Sequence, residues 1–82
     1  MSEENKIQPV PLLEMSPGKT ARVVSIDAGH DLKNRLSSLG VLAGSTLHVI
    51  RNEGAGQLIV MIKNSKVVLG RGASSKIFVT PT

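Results

Sequence analysis

With 82 residues and no cysteine, the chain is long enough for one domain, and neither disulfides nor thiolate metal ligands can staple it. Its formal charge is +4, Phe78 is its one aromatic residue, and its longest apolar run, Leu58–Ile62, is far too short to cross a membrane. These limits exclude a disulfide framework, direct membrane insertion and an aromatic stacking platform, and they predict a soluble cytosolic domain, without a secretory leader, whose core is aliphatic.

Residues 1–11 are polar and punctuated by Pro9 and Pro11, which predicts a flexible lead-in to a domain covering residues 12–82. Leu12, Leu13 and Met15 form a small apolar group expected to pack beneath the domain in a turn-like segment. Pro17 and Gly18 occupy the two central positions of a type II turn. Residues 20–26 are β-branched and predict the first strand, with a bulge near Val24 and Ser25 that puts Val23 and Ile26 on one side.

A short helix follows. Leu32, Leu36 and Leu39 recur at i, i+4 and i+7, which gathers them on one helical face. Asp31 is the predicted N-cap, since a carboxylate there accepts the free N–H groups of the first turn. Gly40 is placed to end the helix in a left-handed conformation with Val41 folding back, and Ala43-Gly44 predicts a second type II turn.

Residues 46–51 predict the second strand, and residues 53–56 form a loop tip. In the third strand, residues 57–63, Leu58, Val60 and Ile62 face one way and Ile59 and Met61 the other. Asn64-Ser65 predicts a hairpin turn leading to a fourth strand at residues 67–69. Residues 70–75 predict one turn of 3₁₀ helix, with Gly70 and Gly72 meeting the demands of a tight turn. Residues 76–80 make the fifth strand, stopped by Pro81. The fold class is therefore mainly β: a small SH3-like barrel of about five antiparallel strands, with one short α-helix between strands one and two.

Two ordered patterns carry a family resemblance. Arg35-Leu36-x-x-Leu39-Gly40-x-x-x-Gly44, preceded by Gly18 and the first strand, resembles the FeoA family of ferrous iron transport accessory proteins. The ending Val67-Val68-Leu69-Gly70-Arg71-Gly72-Ala73-x-x-Lys76-Ile77 is similar to a FeoA subgroup in which Leu-Gly-Arg-Gly precedes the last strand. The likeness runs from about Leu12 to Val79. It implies an SH3-like fold, a cytoplasmic location, no catalysis and a role assisting FeoB, the membrane GTPase that imports Fe²⁺, by contact with that transporter's cytosolic GTPase region. Ala43 stands where the family often has proline, which leaves that turn less rigid. Iron-dependent repressors end in the same domain type, but this chain has no helix-turn-helix region.

Candidate chemistry is sparse. His30, Asp31 and His48 are the one conceivable ligand group, and their spacing is not that of a metal motif, so no metal site and no cofactor is expected. No nucleophile, base and orienting group form a set, which predicts no enzyme. Gly70-x-Gly72 lacks the following helix that a phosphate cradle needs. Arg35 and Arg71 are candidates for a partner's carboxylate or phosphate, Arg35 alternatively serving the carbonyls at its helix end. Leu42, in an exposed turn, and Ile59 and Met61, on the second face of their strand, are the candidate partner contacts. A basic nucleic-acid-binding barrel is the competing reading, and Phe78 alone argues against it.

Overall fold

The computed structural model of the chain describes residues 8–54 and 56–82. Six antiparallel strands, β1 (Val10–Pro11), β2 (Thr20–Ile26), β3 (Thr46–Asn52), β4 (Leu58–Ile62), β5 (Ser65–Leu69) and β6 (Ile77–Pro81), form one sheet in the order β1-β6-β2-β3-β4-β5. Helix α1 (His30–Ser38) lies between β2 and β3, α2 (Arg71–Ser74) lies between β5 and β6, and Leu12–Glu14 is a 3₁₀ turn. The architecture is mainly β and SH3-like, but the sheet is open rather than a closed barrel, with β1 and β5 at its edges. The five expected strands are β2 to β6. The sixth, β1, falls inside the expected lead-in: Val10 pairs with Val79 and Pro11 with Phe78. Pro9 and Pro11 carry no N–H, so this segment cannot extend its ladder far. The rest of the lead-in, residues 1–7, lies outside the described residues.

One face of each long strand is buried in a single aliphatic cluster that includes Val23, Leu47, Val49, Leu58, Val60, Leu69, Ile77 and Val79. Leu12 and Met15 close the cluster from the 3₁₀ turn, and Leu36 and Val41 from α1 and its exit. Two bulges shape the sheet. The β2–β6 register passes from Val23↔Val79 to Ser25↔Phe78, so Val24 is the extra residue and Ile26 swings back toward the core, as the strand's phase required. A second bulge in β3, between Val49 and Arg51, makes Ile50 the extra residue. No sequence signal marked it.

Helix α1 starts ahead of Asp31. Gly29 is the N-cap, the Lys33 N–H donates to the Gly29 carbonyl at 3.0 Å, and no side chain caps the end. Asp31 stands instead in the first turn, where the helix dipole still favours a carboxylate. At the other end Gly40 has φ +92°, its N–H donates to the Ser37 carbonyl, and the Val41 N–H donates to the Leu36 carbonyl at 2.9 Å. This paired Schellman closure drops Val41 into the core. Helical geometry stops there, so the leucine face is shorter than its spacing implies. Leu36 is buried, Leu32 half-buried, and Leu39, the C-cap, 43% exposed.

The exit loop is locked to the sheet. Gly44, at φ +93°, allows the Ser45 N–H to reach the Leu42 carbonyl. Ser45 Oγ donates to the Gly40 carbonyl and accepts from the Leu42 N–H. Backbone bonds then join Gly44 and Ser45 to Val23 at 2.7 and 2.8 Å. Gly18, at φ +89°, forms the other type II turn.

Two turns differ from expectation. Ile62 pairs with Ser65, so the β4–β5 turn is Lys63-Asn64, one residue early, with φ of 50° and 69°. A two-residue hairpin turn of this kind needs positive φ at both positions, which asparagine tolerates better than lysine does. Residues 71–74 are α-helical rather than 3₁₀, because the Ser74 and Ser75 N–H groups reach back to the Gly70 and Arg71 carbonyls. Gly70 caps that helix at φ −70°, and added Cβ atoms at Gly70 or Gly72 would meet open space, so no tight backbone demands glycine at either position. Buried Ser74 settles its hydroxyl on the Gly70 carbonyl at 2.9 Å.

Asn52, at the end of β3, holds the 3₁₀ turn to the sheet: its Nδ2 donates to the carbonyls of Leu13 and Met15, both at 2.8 Å. Asn52→Ala should cost about 1–3 kcal/mol, seen as a lower urea midpoint at unchanged slope. Gly40→Ala, which meets Ile62 Cγ2 at an ordinary 3.5 Å, should cost ~1–2 kcal/mol through its backbone conformation alone.

Candidate functional site

Alternation within each strand sends one set of side chains inward, and whatever the outer set shows to solvent is what the protein offers a partner. A groove of about 490 Å³ opens between the end of β2, α1 and the loop that follows α1. Val24, Ile26, Val41 and Leu42 supply its apolar wall, and α1 turns Lys33, Asn34 and Ser37 toward it. Leu42 is 49% and Val24 42% exposed. Both exposures have a backbone cause. The β2 bulge turns Val24 outward, and the loop held by Ser45 carries Leu42 past the helix end, where nothing further covers it.

The remaining candidate residues do not converge on this groove. Ile59 lines a separate, shallower concavity with Arg51, Glu53 and Val68. Met61 sits half-buried on the outer sheet face, between its cross-strand neighbours His48 and Lys66. Arg35 is exposed in the last turn of α1 and absent from the groove lining, about half a helical turn round from Lys33. Arg71 is spoken for locally: its Nη1 donates to the Gly56 carbonyl at 3.3 Å, tying α2 to the β3–β4 loop.

The residues considered as metal ligands are also apart. His30 opens α1 beside Asp31, whereas His48 lies in β3 with its Nδ1 3.1 Å from Thr20 Oγ1. Among the described residues no three histidine, aspartate or glutamate side chains gather. Phe78 is half-buried in β6, opposite Pro11 and Ser25, away from any second ring. Among the described residues no helix is long and apolar enough to cross a membrane.

Sequence reasoning missed Val24, Lys33 and Val68 as surface features. The expected bulge was the available signal for Val24, since the extra residue of a bulge leaves the strand's alternation. Nothing in the pattern pointed to Lys33, which becomes a groove residue only because α1 and the end of β2 line the same groove.

Comparison with known proteins agrees with this architecture. Residues 10–81 match the FeoA domain. A Methanocaldococcus jannaschii protein named for Fe(2+) transport as protein A is 42% identical over 69 residues, spanning 84% of this chain and 83% of that protein. A crystal structure of an iron uptake regulatory protein, FeoA, superposes with a TM-score of 0.86 at 31% identity, covering 90% of this chain and 99% of that one. A manganese-dependent transcriptional repressor contains the same fold, at TM-score 0.82 and 29% identity, but the chain spans only 42% of its length.

Leu42→Asp should leave stability within about 0.5 kcal/mol of the parent, because half of that side chain is already in water. Leu36→Ala, on the buried face of α1, should cost about 2–5 kcal/mol. Thermal or urea unfolding of both variants checks the contrast.

Proposed function

Because the chain belongs to the FeoA family, whose role lies in Fe²⁺ transport, we propose that it acts by docking on the cytosolic GTPase region of an FeoB-type membrane transporter and modulating it, without catalysis of its own. A docking protein shifts its partner's state only by binding one state better than another, so it needs a surface and not a reactive centre.

The observation that carries this reading is the exposed Leu42–Val24 wall, a pair of aliphatic side chains kept in solvent by a bulge and a hydrogen-bonded loop. A chain this small, with so few core side chains, gains stability by covering such groups. Leaving them out in a groove rimmed by Lys33, Asn34 and Ser37 suits an apolar contact with a polar border, the usual anatomy of a protein interface. Met61, Ile59 and Arg35 belong to this reading as secondary contacts, reached only if the partner also wraps the sheet face or the far side of α1. Arg71, already bonded to Gly56, is the weakest of the set. Nucleic acid is the less favoured occupant, since Phe78 has no aromatic neighbour with which to stack bases.

A titration of the full chain against the transporter's cytosolic GTPase region should show binding that Leu42→Asp weakens by about tenfold or more. Met61→Asp, on the outer sheet face, should weaken it less. Equal binding by the parent and Leu42→Asp removes the groove from the interface. Unchanged Fe²⁺ uptake after deletion of the protein, in cells that depend on the transporter, removes the role itself.

A further inference from the structure

The sheet stays open at β5, and the open edge is chemically marked. In the β4–β5 hairpin the two-residue turn makes Ile62 and Ser65 a closely bonded pair, so Val60↔Val67 and Leu58↔Leu69 also exchange hydrogen bonds. The residues between them, Lys66 and Val68, therefore aim their N–H and C=O groups away from β4. β5 is the last strand of the sheet, and among the described residues no other backbone group bonds to these two. Val68 is 52% exposed, and beside it lies the shallow concavity lined by Ile59 and Arg51.

A free edge of this kind invites another strand, and charge decides which. Cross-strand pairing places Arg22, His48, Arg51 and Lys66 at outward positions of β2, β3 and β5, and no carboxylate occupies an outward position in those paired rows. Glu53, in the loop beyond β3, lines the concavity beside Val68, where Arg51 also stands. A second copy paired about Lys66 would set that lysine against its own counterpart, and edge lysines are a known device against such self-pairing.

We propose that the β5 edge is a strand-addition site for an extended acidic segment of a partner protein. Such a segment runs antiparallel to β5, places an apolar side chain beside Val68 and a carboxylate two residues later beside Lys66, and bonds its backbone to both. This surface is separate from the Leu42 groove, so the proposal stands or falls independently of docking there.

The test uses an end-blocked peptide, TTVTETET, whose valine faces Val68, whose first glutamate faces Lys66 and whose second reaches the Lys63-Asn64 turn, with TTVTKTKT as its charge-reversed control. Added to the full chain, the acidic peptide should slow amide hydrogen exchange at Lys66 and Val68 several-fold and bind more weakly as salt rises. The basic control should do neither. Val68→Pro removes one outward N–H without touching the β4 ladder and should abolish binding while the protein stays folded. Lys66→Glu should reverse the preference toward the basic peptide. The proposal is overturned if both peptides bind the parent alike, if Val68→Pro binds the acidic peptide normally, or if the slowed amides lie elsewhere. It is equally overturned if Lys66 and Val68 are already protected in the free chain, or become so as protein concentration rises without peptide.

Discussion

A single layer of sheet has only one face to bury, and a chain with one aromatic residue and no cysteine must make that face work with valine, leucine and isoleucine alone. Everything else in the molecule serves the enclosure of that aliphatic layer. The inner residues of β2, β3, β4, β5 and β6 share one cluster, and two small pieces close it: the 3₁₀ turn brings Leu12 and Met15, and α1 with its exit brings Leu36 and Val41. Each piece is held by hydrogen bonds to its backbone as well as by burial. Asn52 clamps the 3₁₀ turn, and the Gly40 closure followed by the Ser45 loop clamps the helix exit. With so thin a core, losing one clamp loses a sizeable share of the few kcal/mol that hold such a domain folded.

That economy explains which apolar side chains stay in solvent. Enclosing the core uses up the helix's Leu36 and the loop's Val41, and nothing remains to cover Leu42 or the bulged Val24. The same shortage leaves the sheet unclosed at β5. A larger domain would spend a further helix or strand on those places; here they stay available to another molecule. Exposed apolar groups and a free strand edge are liabilities in an isolated protein, and their retention in a basic chain is the physical argument for a protein partner.

The comparisons place this architecture in two settings. In the FeoA crystal structure the matching fold makes up 99% of the chain, whereas in the manganese-dependent repressor it is 42% of a longer protein. A fold used in both ways does not by itself name an activity. At 12% identity, the FeoA-like protein of Clostridium acetobutylicum still superposes with a TM-score of 0.80, which shows how little of the sequence the backbone needs. Family membership therefore rests on the matched domain and the 42% identical relative.

From the residues alone, the five principal strands, helix α1, the Gly40 exit and the β2 bulge were all legible. Each depends on interactions within a few residues: side-chain alternation, helical spacing, and the positive φ that glycine supplies at positions 18, 40 and 44. What depended on distant partners was not legible. β1 exists because β6 is there to pair with it, and the hairpin turn slid to Lys63-Asn64 because the β4–β5 ladder sets the register. Asp31 lost the cap to Gly29 because α1 begins earlier, at His30. The spread of Leu42, Met61 and Arg35 over separate surfaces followed the same rule, since burial of Leu36 and Val41 in the core sets where α1 and its exit loop sit. Local chemistry is written along the chain; which side chains meet, and which are left facing water, is decided only when residues far apart in sequence compete for the same small core.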